Sequence, residues 1–130
     1  GTIVSMDPST SVLAGPAFAA LVRQVEPDIV FCNAAEARAL DVDDDGMPGA
    51  RCVVVKSGRE PVLLRGAIRD EVTVPPVGGV IDTTGAGDAF AGGFLLATVR
   101  GAAPVEAAHA ALHAAACVVR GLGADSWVET

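Results

Sequence analysis

Residues 82–95 read Asp-Thr-Thr-Gly-Ala-Gly-Asp-Ala-Phe-Ala-Gly-Gly-Phe-Leu, a glycine-rich turn that runs into an apolar helix with one carboxylate, Asp88, in its first turn. The first N–H groups of a helix have no intrahelical partner, and the macrodipole places partial positive charge there. The backbone of Gly85, Ala86 and Gly87 therefore suits a phosphate. A bound phosphate repels a carboxylate in the same turn, so Asp88 points to a second task, accepting a proton from an attacking hydroxyl. Local structure supplies a plainer account: Asp is favoured in a first turn by the dipole alone, and Thr83 or Thr84 would serve as an ordinary N-cap.

Around this turn, strand and helix signals alternate. A short apolar strand over 2–6 ends at Asp7-Pro8, and 16–25 has helical periodicity with Pro at its start. A continuous apolar strand over 28–32 leads through Asn33 into a helix over 34–40. Strands over 52–56 and 62–65 flank Ser57-Gly58-Arg59-Glu60-Pro61, and an extended stretch over 71–77 ends in prolines. Helices over 86–100 and 104–120 follow. This order predicts the α/β class: a mostly parallel sheet with helices on both faces and an antiparallel hairpin toward one edge. Ligands of such sheets collect beyond the carboxyl ends of strands, which makes Asn33, Lys56 and Gly58 informative positions. Gly92 and Gly93 each cost about 1 kcal/mol inside a helix and suggest close packing against a neighbouring element.

At 130 residues, 51% apolar and 19% charged, the chain can bury one core and fits one domain or part of one. A net charge of -7 and a pI near 4.6 argue against nucleic-acid and anionic-membrane partners, so a phosphate would be held by local groups. The Ala-rich run over 107–119 is interrupted by His109 and His113 and is short for a membrane span. With no signal peptide at its start, the chain reads as a cytoplasmic protein. Cys32, Cys52 and Cys117 are odd in number and share no metal or redox spacing; reduced, buried thiols are expected.

Two further groups carry chemistry. Asn33 and Glu36, three apart, share the first turn of their helix. They form either a capping box or part of an oxygen-rich site of the kind magnesium prefers. Glu106, His109, His113 and Cys117 approach one face of the last helix, although one helix supplies only part of a coordination sphere. Asp41, Asp43, Asp45 and Gly46 copy the start of an EF-hand loop, but its twelfth position is Cys52 and a strand follows, so a solvated acidic turn is expected.

The Asp-Thr-x-Gly-Ala-Gly-Asp core resembles the C-terminal signature of the ribokinase-like sugar kinases, the PfkB family, and nearly the whole chain can be laid on the C-terminal part of such a kinase. The resemblance implies a truncated ribokinase-like three-layer sandwich and ATP-dependent phosphoryl transfer to a hydroxyl of a sugar or sugar-like substrate. It makes Asp88 the base and the Gly85, Ala86 and Gly87 backbone the anion hole. Asn33 and Glu36 match an Asn-x-x-Glu motif that organises magnesium, water and phosphate oxygens. Lys56, Ser57 and Gly58 take the place of a turn bordering the nucleotide, and His113 lines the adenine pocket. Asp82, with carbonyls near Thr84 and around 119–123, and Ser126 resemble a potassium site whose importance varies within the family.

Three departures accompany these matches. Arg59-Glu60-Pro61 replaces the small residues that usually end the nucleotide turn, and Pro61 fixes φ and removes an N–H. The family usually spends another helix between the Asn-x-x-Glu helix and the next strand, whereas here a short crossover is expected. Family members are also much longer, and their N-terminal half carries the lid strands and the glycine pair that grips the sugar. The chain thus reads as the ATP-binding and catalytic portion of a kinase. The alternatives are a nucleotide-binding fragment inactive by itself and a structural or assembly domain whose glycine turn only packs. A truncated sheet would expose edge and face, which implies self-association.

Overall fold

The computed structural model describes residues 2–8, 16–76 and 85–120, with 119 and 120 as backbone only. They fall into two compact units, Gly1–Thr73 and Val74–Thr130.

The first unit is built on a five-stranded open sheet in the order β1-β2-β3-β4-β5: Ser5–Met6, Ile29–Cys32, Cys52–Val55, Val62–Gly66 and Asp70–Val72. β1, β2 and β3 are parallel, while β4 runs antiparallel to both β3 and β5. All strands but β4 thus point the same way. Every residue of β2 and β3 is buried, as continuous apolar runs in a parallel sheet require. Val30, Cys32, Val53 and Val55 pack with Val22 of helix α1 (Pro16–Val25) and with Leu40, which closes helix α2 (Ala34–Ala39). The alternate residues Ile29, Phe31, Cys52 and Val54 are buried too. The α2-to-β3 crossover is short, as expected, and contributes Val42, Met47 and Ala50 to this core.

The acidic turn is solvated, as its sequence suggests, with Asp41, Asp43, Asp44 and Asp45 all exposed. Asp43 and Gly46 exchange backbone hydrogen bonds of 3.1 and 2.9 Å, and Asp44 pairs with Arg65 at 3.6 Å and Arg69 at 3.3 Å. These ion pairs tie the turn to the β4–β5 ribbon, with the modest worth of exposed pairs. At the opposite edge, β1 is only two residues long and pairs with β2 alone among the described residues. Val4, Leu21 and Val25 are exposed.

The second unit holds helices α3 (Ala86–Val99) and α4 (Pro104–Arg120). Their seam is made of small side chains: a Cβ built at Gly93 would lie 3.0 Å from Ala114 Cβ and 3.1 Å from Ala111 Cα. Gly93 therefore lets the two helices approach closely. Gly92 has nothing described within 4 Å and no packing reason of this kind. Phe90 and Phe94 are buried, and so are Ala107, Ala108, Ala111 and Leu112. Among the described residues, no helix is long and apolar enough to cross a membrane.

Candidate functional site

The carboxyl ends of the parallel strands gather the first group of residues. Lys56 N donates to Cys32 O at 3.0 Å, which sets the ends of β2 and β3 side by side. Asn33 is extended, with φ -93° and ψ 178°, and caps α2. Its Oδ1 accepts from Glu36 N at 2.8 Å, and Glu36 Oε1 accepts from Asn33 N at 2.9 Å. The pair is thus a complete capping box. This geometry leaves Glu36 Oε2 without a hydrogen bond or ion pair among the described residues.

Lys56 is half-buried, and desolvation lowers its pKa below the ordinary lysine value. Its Nζ donates to Gly58 O, so the ammonium is folded back over the turn that follows β3. No carboxylate among the described residues pairs with it. A cation held this way is partly dehydrated and uncompensated, a state that favours an anionic ligand.

Strand-end reasoning had passed over Asp7, which directly follows β1. Burial first, then the charges of Glu36 and Asp7, push the Cys32 thiol up to about 12. Both carboxylates therefore act on one buried sulfur at the end of β2. The signal was present in the sequence: Asp7 stands just past a strand, as Asn33 and Lys56 do, and the rule applied to them covers it as well.

The second group lies at the start of α3. Its N-cap is Gly85, in the left-handed region at φ 83° and ψ -6°, with no side-chain capping hydrogen bond. A side chain at position 85 would be strained there, and the cap is neither Thr83 nor Thr84. The N–H groups of Ala86, Gly87 and Asp88 donate to nothing among the described residues, while Ala89 N begins the helical ladder by donating to Gly85 O at 2.9 Å. Asp88 is exposed, and a Cβ at Gly87 would meet nothing described within 4 Å. The result is a helix start whose first donors find no partner among the described residues, with a carboxylate beside them.

On α4, His109, His113 and Cys117 are exposed. Cys117 was expected to be buried; its place on the solvent face of α4 leaves it accessible, whereas Cys32 and Cys52 are indeed buried. Burial also raises the Cys52 pKa. Glu106 Oε1 accepts from Ala103 N at 3.3 Å, at the amino end of the helix. Asp82, Thr84 and Ser126, the residues of the expected potassium site, lie outside the described residues.

A five-stranded mixed sheet with helices, followed in sequence by a helix that starts at a left-handed glycine, matches the class of ribokinase-like folds. The sequence profile of the pfkB family carbohydrate kinases matches residues 2–130, and the chain belongs to that family. It is 38% identical over 81 residues to inositol 3-kinase of Arabidopsis thaliana, covering 62% of this chain and 23% of that protein. Among solved structures, adenosine kinase from Sinorhizobium meliloti matches with TM-score 0.78 and 30% identity, over 95% of this chain and 41% of that one. Ribokinase from Thermotoga maritima matches with TM-score 0.74 and 31% identity, over 97% of this chain and 45% of that one. The chain spans less than half the length of these relatives.

Proposed function

We propose that this chain is the nucleotide-side portion of an ATP-dependent kinase that phosphorylates a hydroxyl of a sugar or sugar-like small molecule in the cytoplasm. The relatives named above are an inositol 3-kinase, an adenosine kinase and a ribokinase, which supports a polyhydroxylated acceptor. The observation that carries the reading is the start of α3: donors without a partner and a glycine at 87 without a packing contact among the described residues, and one exposed carboxylate.

In this reading, Asp88 takes the proton of the acceptor hydroxyl as it attacks the terminal phosphoryl group. The N–H groups around Gly85, Ala86 and Gly87 hold the charge that develops on the transferred oxygens. Asn33 and Glu36 are oxygen donors held rigid by their mutual cap, and the second oxygen of Glu36 is available, which fits magnesium bound largely through water. When bound, magnesium supplies neutralisation of phosphate charge. Lys56 and Gly58 border the nucleotide, and the partly dehydrated Lys56 ammonium adds attraction for phosphate. Asp7, sharing Glu36's electrostatic reach, limits where a further anion can settle at that edge. His113 lines the base, and Asp82, Thr84 and Ser126 would bind potassium.

The chain spans less than half of these relatives' length, and in this reading the 130 residues alone bind nucleotide without turning it over. Replacing Asp88 by Asn in the enzyme that contains this chain should lower kcat by about three orders of magnitude and leave ATP affinity within about threefold. Retained turnover would sink the assignment. The short β1 edge with exposed Val4, Leu21 and Val25 should drive self-association of the chain, and a monomeric mass by light scattering would contradict that.

A further inference from the structure

The solvent face of α4 carries a pair of metal-ligating side chains that the kinase reading does not use together. Cys117 Sγ lies 3.7 Å from His113 Nε2, one helical turn apart and both exposed. Zinc binds thiolate sulfur at about 2.3 Å and imidazole nitrogen at about 2.0–2.1 Å, so tetrahedral ligands of these two kinds stand about 3.5 Å apart. The pair already has the bite of a chelate. Little rearrangement is needed, because four-residue spacing puts both residues on one helical face and their sulfur and nitrogen are already in hydrogen-bond contact.

We propose that His113 and Cys117 form a two-residue chelate on α4 for a divalent cation that favours nitrogen and sulfur ligands, zinc above all. Soft thiolate and imidazole donors select such a cation over magnesium, whose oxygen chemistry lies elsewhere. Binding displaces the thiol proton to solvent and uses the imidazole nitrogen as a lone-pair donor. Among the described residues no group of three or more His, Cys, Asp or Glu gathers, so within them the chelate has two protein ligands. Glu106 is not a third ligand, since its carboxylate faces the amino end of the helix. The neighbours Ala110 and Ala114 are too small to cover the cation. Cys32 and Cys52 are buried, which makes Cys117 the accessible thiol. The inference stands on α4 alone; because the proposed function sets His113 beside the base, a cation held here and a bound nucleotide would compete for that imidazole.

Cobalt(II) is the probe, titrated into the chelator-treated, reduced 130-residue chain. One equivalent should bind and produce a thiolate-to-cobalt charge-transfer band, which excess zinc abolishes. The band should vanish in Cys117→Ser. In His113→Gln the affinity should fall by about tenfold or more, while His109→Gln should leave it within about twofold. These exposed positions lie outside the core, and circular dichroism verifies that each variant keeps its helix content. Absence of the band in the unmodified chain, its survival in Cys117→Ser, or an unchanged affinity in His113→Gln would each overturn the proposal.

Discussion

Two helices of this chain begin in opposite ways. α2 closes its own amino end: Asn33 and Glu36 satisfy one another's backbone donors, and the charge of the dipole is met by residues of the same turn. α3 starts at a left-handed glycine with no side-chain capping hydrogen bond, and its first donors, beside Asp88, have no partner among the described residues. A helix start that supplies its own caps is complete as a piece of folding. One that leaves donors open gives up about 1 kcal/mol of capping stability, and a ligand with negative charge is the natural complement. The same contrast separates two glycines of α3. Gly93 is required by the seam with α4, whereas Gly87 costs helix stability without a packing contact among the described residues.

The sharpest way to separate fold from function is to alter these positions one at a time. Gly93→Val should destabilise the chain most, by about 1–3 kcal/mol, because the added side chain meets Ala111 and Ala114 in a packed seam. Chemical denaturation reads this directly, and an unchanged midpoint would mean the seam is looser than its distances. Asn33→Ala should lower stability by about 1 kcal/mol through the lost cap. If stability held, the cap would be decorative, and the contrast between the two helix starts would fail. Gly87→Ala has the smallest effect on folding and an opposite sign, a gain of up to about 1 kcal/mol, with nucleotide affinity in the complete enzyme falling about fivefold. Unchanged affinity would remove the phosphate from this turn.

Much of the fold was legible beforehand for a simple reason: hydrophobic periodicity is a local signal. The run Ile29–Cys32, the run Cys52–Val55 and the helix Pro16–Val25 appear where their apolar patterns put them, because each buries a face its own sequence defines. The last two helices also lie within a residue of their predicted limits. The extended stretch over 71–77 is the weaker case, since only Asp70–Val72 pairs with a neighbour. A strand is defined by its partner, and prolines at 75 and 76 withhold two backbone donors.

Candidate site residues are legible to the extent that they stand beside a recognisable element end. Asn33, Lys56 and Asp88 are candidates on that ground. Asp7 is equally placed at the end of β1. Its influence on Cys32 became visible once β1 and β2 were paired.

By itself, the sequence determined the α/β order, the family and the turn that begins α3, because each is written in residues close along the chain. Tertiary structure alone decided which of two adjacent glycines packs, that Cys117 is open while Cys32 and Cys52 are closed, and that Lys56 folds back on Gly58. Burial and contact depend on partners distant in sequence, and a pattern read along one strand or helix does not contain them.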